Sequence, residues 1–132
     1  MRIYEDPFDA RLVQGAAGLL REFNAIGLLL AADVHVADRL CALAGEADEA
    51  VALAVAMAVR APRLGHVYVD LAEIAGTAAV DTEDEVDLTA LPWPEPAAWV
   101  AAVAASPLTA VGEDAAAGDE RPLRLVGSAL YL

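Results

Sequence analysis

The stretch Asp48-Glu49-Ala50-Val51-Ala52-Leu53-Ala54-Val55-Ala56-Met57-Ala58-Val59-Arg60 decides the fold. It is alanine-rich and apolar nearly all round, with Val51, Leu53, Val55, Met57 and Val59 as its larger side chains. Alanine favours helix, and a helix with no polar face is buried on every side, so this one is expected at the centre of a bundle. Glu46, Asp48 and Glu49 lie at its amino end, and Arg60 and Arg63 near its carboxyl end, as the helix dipole favours. Pro62 and Gly65 are expected to close it. The run 50–59, the longest apolar run in the chain, is about half of what a bilayer-spanning helix needs.

Upstream, residues 34–44 read as a helix capped by Asp33 and stopped by Gly45, with a stripe of Val36 or Ala37, Leu40, Cys41 and Ala44. Before it stands Leu28-Leu29-Leu30, too apolar to lie freely in water. An amphipathic helix is expected over residues 10–24, with Leu12, Ala16, Leu19, Leu20 and Phe23 on one stripe, Asp9 as N-cap and Gly27 ending it.

Downstream, residues 66–71 alternate with period two and predict a short extended segment. Asp70 and Glu73 resemble a capping box for a short helix over 71–75. Asp81, Glu83, Asp84, Glu85 and Asp87 mark a solvated loop. Leu91-Pro92-Trp93-Pro94-Glu95-Pro96 is a stiff entry to a helix over 97–105, which Ser106-Pro107 ends. A second acidic loop covers 112–120. Residues 122–126 and 129–132 predict a β-hairpin on a Gly127-Ser128 turn, and a hairpin must pack on something to be stable. The expected fold is therefore mainly α: a single domain over 1–132, a small bundle of about four to five helices with a short extended segment and a C-terminal β-hairpin. Its final strand has the look of a boundary within a longer protein.

Composition narrows function. The chain has 132 residues and a formal charge of −13, and its eight bases are all arginine. Lysine is absent, which excludes a P-loop lysine, a Schiff-base lysine and a lysine-rich nucleic-acid tail within these residues. Phosphate-backbone binding needs positive surface, so this segment is a poor candidate for gripping DNA or a membrane. Of the apolar residues 32 are alanine, so the core is built from small side chains and Phe8, Phe23, Trp93 and Trp99 are its expected anchors. One cysteine, Cys41, and an amino terminus without a signal-peptide apolar region lead to the expectation of a reducing, cytoplasmic location.

The parts for catalysis are few. Ser106 precedes a proline and Ser128 lies in a turn; neither is in a nucleophile elbow. Cys41 sits in an apolar stripe, where its thiolate is disfavoured. His35 and His66 lack neighbours at metal-ligand spacing. Asp33 and Asp70 are explained as helix caps, and Gly15 and Gly18 as close-packing positions rather than a phosphate loop. No catalytic, cofactor-binding or metal-binding residue is assigned. Interaction remains, and the expected partner-contact residues are Leu28, Leu29, Leu30, Leu91 and Trp93, since desolvated apolar and aromatic side chains commonly anchor interfaces.

The order of segments carries a resemblance. Leu19-Leu20-Arg21-Glu22-Phe23-Asn24, Ala31-Ala32-Asp33-Val34-His35-Val36-Ala37-Asp38-Arg39-Leu40, Leu43-Ala44-Gly45-Glu46, Val51 through Arg60 and Gly65-His66-Val67-Tyr68-Val69-Asp70-Leu71 follow in turn. Leu91-Pro92-Trp93-Pro94, Ser106-Pro107-Leu108, Pro122-Leu123-Arg124-Leu125-Val126 and Leu130-Tyr131-Leu132 complete them. Together these resemble the start of the RecD family, the α subunits of the bacterial RecBCD helicase–nuclease (exodeoxyribonuclease V). Tyr68 departs from the pattern, which has a smaller residue there, often cysteine.

The resemblance implies a helical amino-terminal domain that docks directly onto a RecC-like subunit, with a RecB-like subunit in the same complex. It would precede a 5′-to-3′ DNA helicase motor serving double-strand-break repair and recombination. ATP and magnesium would belong to that motor, as would contact with DNA, and no cofactor is expected in this segment. The alternative is a stand-alone helical adaptor that homo-oligomerises. A third reading is a small acid–base enzyme using Asp33 or Asp70.

Overall fold

The computed structural model describes residues 19–25, 28–77, 91–112 and 121–132. Expectations for Phe8, Asp9, residues 10–18, Gly27 and most of both acidic loops lie outside the described residues. The helices are α1 (Leu19–Ala25), α2 (Ala31–Ala44), α3 (Glu49–Arg63), α4 (Ile74–Thr77) and α5 (Pro96–Ala104). The strands are β1 (Tyr68–Asp70), β2 (Thr109–Val111), β3 (Leu123–Val126) and β4 (Ala129–Tyr131). The protein is mainly α with a small sheet.

Helix α3 is the hub, packing against α1, α2 and α5 as well as β1 and β4. Val51 and the whole run from Leu53 to Ala58 are buried, as a helix with no polar face requires. Asp48 is its N-cap, its carboxylate accepting from the Ala50 N–H at 2.9 Å. Glu49 accepts from the Leu19 N–H at 3.3 Å and so ties α1 to the same end. The helix runs through Pro62 to Arg63, and Gly65, at φ +84°, takes the left-handed turn beyond it. Pro62 therefore sits in the last turn instead of ending the helix.

Two expected boundaries shift. Helix α2 begins at Ala31 with Leu30 as N-cap, so Asp33 occupies the third helical position instead of the cap itself. From there its carboxylate accepts the Leu30 N–H at 2.9 Å, which is the reverse half of a capping box. The short helix expected at 71–75 is displaced: residues 71–73 form a turn and α4 follows at Ile74–Thr77. Asp70 accepts from the Ala72 N–H at 2.9 Å and thereby builds that turn.

The hairpin forms as expected, with Val126 opposite Ala129 and Gly127 at φ +61° in the turn. What it packs on is a sheet larger than the local pattern indicates. Strand order is β1-β4-β3-β2, so the extended segment at 68–70 pairs with β4 antiparallel, and β2 pairs with β3 in parallel. Strand β2 was not foreseen, because three residues between a proline-ended helix and an acidic loop carry no periodicity. Val69, Leu123, Leu125 and Leu130 are buried, and with α3 they close one continuous core.

Candidate partner-docking surface

The turn Leu28-Leu29-Leu30 is built inward. Leu28 and Leu29 are fully buried and Leu30 is half-buried. A buried turn exposes backbone groups that need partners, and neighbouring elements supply them. The Leu29 N–H donates to the Phe23 carbonyl at 3.2 Å, and the Asn24 side-chain amide donates to the Leu29 carbonyl at 3.0 Å. Arg60 reaches from α3 to donate to the Leu28 carbonyl at 3.1 Å. Burial pulls the Arg60 guanidinium below its ordinary pKa, Arg63 adds to this, and Asp33 opposes it. Arg63 in turn pairs with Asp33 at 2.8 Å.

The Trp93 segment meets the same place. Trp93 is half-buried and stands edge-on to Phe23, with ring centroids 4.7 Å apart. It also lies 6.1 Å from Trp99, whose indole N–H donates to the Ala50 carbonyl at 2.7 Å. Glu95 caps α5 by accepting from the Ala97 and Ala98 N–H groups at 3.1 and 2.7 Å. Those two bonds, Ala98 first, hold its carboxyl below the usual range.

Of the five expected contact residues, then, Leu28, Leu29 and Leu91 fill the core and are not available at the surface. The Leu28 and Leu29 carbonyls and the Leu29 N–H find partners within the domain, which keeps the burial of that turn cheap, and Leu91 packs in the same core. Leu30 and Trp93 keep partial exposure, and both segments gather around Phe23.

Other apolar side chains are more exposed than any of these. On α2, Leu43 is 70% exposed and Val36 also faces out, with the half-buried Leu40 between them at helical spacing. Sequence periodicity left Val36 and Ala37 as alternatives for the core stripe; packing selects Ala37, which is fully buried, and turns Val36 outward. On the sheet, Tyr68 meets Tyr131 across the β1–β4 pair, their rings tilted by 39° with centroids 5.2 Å apart. That partnership is local to a solvent-facing row, which is how a large residue fits at this position.

The residues weighed for chemistry have structural employment. Asp33 holds Leu30 and Arg63, while Asp70 takes the Ala72 N–H and the Ser128 hydroxyl, the latter at 2.7 Å. Burial, followed by the charges of Glu46 and Asp38, pushes the Cys41 thiol up to about 11. His35 and His66 are both exposed. Among the described residues, no group of three or more His, Cys, Asp or Glu side chains is placed to hold a metal ion, and no helix is long and apolar enough to cross a membrane.

The family described as RecBCD enzyme subunit RecD, N-terminal domain, matches residues 25–131. The chain belongs to this RecD N-terminal family. The RecBCD enzyme subunit RecD of Mycobacterium tuberculosis (strain H37Rv) is 60% identical over 95 residues, 72% of this chain and 15% of that protein. Its counterpart in Mycolicibacterium smegmatis is 51% identical over 105 residues, 80% of this chain and 16% of that protein. The chain thus spans about a sixth of the length of the curated relatives it matches. No solved structure matches it. In this RecD N-terminal domain the family match takes in α2, α3, α4, α5 and all four strands, so the hub helix and the sheet both lie within it.

Proposed function

We propose that this domain is an assembly module: within a full-length RecD protein it docks the helicase motor onto a RecC-like subunit, with a RecB-like subunit in the same complex. The observation that carries this reading is family membership over residues 25–131, shared with much longer relatives named as RecBCD enzyme subunits. ATP hydrolysis, magnesium binding and DNA unwinding belong to the remaining part of such a protein, and the complex works in the cytoplasm on broken DNA. The exposed Val36 and Leu43 of α2 support the reading, as do the half-buried Leu30 at the N-cap of α2 and Trp93. Interface anchors are apolar side chains that lose water on docking, and these are available to do so.

The test is co-purification of the full-length protein with its RecB- and RecC-like subunits. Val36→Asp with Leu43→Asp places two charges on the exposed α2 face without touching the core. Recovery of the RecC-like subunit is expected to fall at least about tenfold, as for loss of a modest anchor pair. Unchanged recovery from a protein lacking residues 1–132 altogether would overturn the assembly reading.

A further inference from the structure

The outward face of α2 mixes apolar side chains with one charge. Val36, Leu40 and Leu43 recur at i, i+4 and i+7, the spacing with which a helix anchors itself in a groove. Arg39 stands at i+3 in the same stripe and is exposed. The residues three and four positions from it are His35, Val36, Ala42 and Leu43, so no acid at pairing distance precedes or follows it on the helix. Asp38, its neighbour in sequence, is turned about 100° around the helix, towards Cys41, whose thiol it helps to push up. Among the described residues Arg63 pairs with Asp33, and Arg60, Arg121 and Arg124 have interactions of their own, but Arg39 has neither an ion pair nor a hydrogen bond. Arg21 on α1 shares that freedom, without an exposed large apolar side chain on its helix. With 21 acids to eight bases, positive charge is scarce in this chain, and at Arg39 it serves no contact inside the domain.

We propose that this stripe enters an apolar groove on the subunit that receives the domain, and that the groove carries an aspartate or glutamate facing Arg39. The proposal rests on the assembly reading and adds the chemistry of the receiving surface to it. Charge complementarity selects this occupant. A guanidinium that loses water against an apolar surface needs a carboxylate there, because an unpaired charge is costly to bury. Arginine among apolar side chains is also the composition of an interface anchor. A second copy of the chain does not fit. The stripe runs from Val36 to Leu43, so a two-fold pairing of α2 on itself would set two Arg39 side chains against each other at its centre. Each copy would also bring a formal charge of −13.

The absence of lysine makes the test specific. Arg39→Lys places the only lysine of residues 1–132 at this position, and a zero-length carbodiimide joins an amine to a carboxylate in direct contact with it. The full-length protein carrying Arg39→Lys is purified with its RecB- and RecC-like subunits and treated, and the crosslinked peptides are identified by mass spectrometry. The expected product links position 39 to an aspartate or glutamate of the RecC-like subunit. Arg39→Glu in the full-length protein is expected to lower recovery of that subunit at least about tenfold, as for a desolvated charge pair made repulsive, while Arg39→Lys retains most of it. Arg39 makes no polar contact inside the domain, so both variants keep the fold. Links only to its own chain, to a second copy or to the RecB-like subunit, no link at all, or parental recovery with Arg39→Glu would each overturn the proposal. The assembly reading is judged separately, by recovery with a protein lacking residues 1–132. If that deletion abolishes recovery while the results at position 39 fail, only the proposed groove falls.

Discussion

Trp99 offers the sharpest quantitative test of how α5 is fastened to the hub helix. Its side chain is fully buried, and its indole N–H donates to the Ala50 carbonyl in the first turn of α3 at 2.7 Å. Trp99→Phe keeps an aromatic ring in place but removes that donor and part of the ring volume. Loss of the bond costs about 1 kcal/mol. The truncation leaves about 40 Å³ unfilled, which at about 24 cal/mol per Å³ adds about 1 kcal/mol. The sum, about 2 kcal/mol, corresponds to a fall of roughly 8 °C in Tm for a domain of this size. Urea unfolding followed by far-ultraviolet circular dichroism measures it without relying on the altered fluorescence. Trp99→Ala provides the upper bracket, at about 3–5 kcal/mol. The reasoning is refuted if Trp99→Phe unfolds at the parental urea midpoint while Trp99→Ala loses the full amount. Neither the indole bond nor the lost ring volume would then contribute, and the ring that phenylalanine retains would alone join α5 to α3.

Further outcomes follow from single contacts. Gly127→Ala forces a Cβ into the left-handed conformation at φ +61°, and thermal melting should show a loss of about 1–2 kcal/mol. Glu95 bears on acid stability, because its folded-state pKa lies below the ordinary 4.5. A depressed carboxyl stabilises the fold above its unfolded pKa and loses that contribution as pH falls through the folded value. Melting temperatures measured from pH 6 downward should therefore decline less steeply below about 4.5 in Glu95→Gln than in the parent; parallel curves would refute this. Cys41, with its thiol pushed up from 9.0 to about 11, should react with iodoacetamide at pH 8 about 100-fold more slowly than a free cysteine. Urea should restore the full rate, and fast alkylation of the native protein would show that α2 opens readily.

Helices were legible wherever composition alone carried the signal. The all-round apolar character of 50–59 marked α3 as the hub, and the acids before it located its start to within a residue. Gly45 ended α2 as expected, its N–H and that of Glu46 turning back to Ala42 and Cys41 at 3.3 and 2.8 Å. Asp33 was recognised as a capping residue but assigned to the wrong position. The pattern of an aspartate before an apolar stripe does not reveal that the buried Leu28-Leu29 turn and Leu30 lead the chain into the helix earlier. The surface proposed for docking was less legible. Apolar character singled out Leu28, Leu29 and Leu91, and all three side chains lie in the core, with Asn24 and Arg60 answering the carbonyls of the Leu28-Leu29 turn. Leu43 and Val36 belong to the same helix as the core stripe, and nothing local distinguishes which apolar residues of α2 turn outward.

The sequence by itself determined the helical class, the central helix, the hairpin and the family, because each rests on neighbours in the chain: residue propensity, charge at helix ends, turn chemistry and segment order. Only the tertiary structure decided that the 68–70 segment and the hairpin share one sheet with β2. The reason is that Tyr68 and Tyr131, or Thr109 and Leu123, are far apart in sequence and meet only when the chain closes on α3. The same closure separates buried from exposed apolar residues. Exposure depends on what packs opposite a side chain, and that is a property of the assembled core.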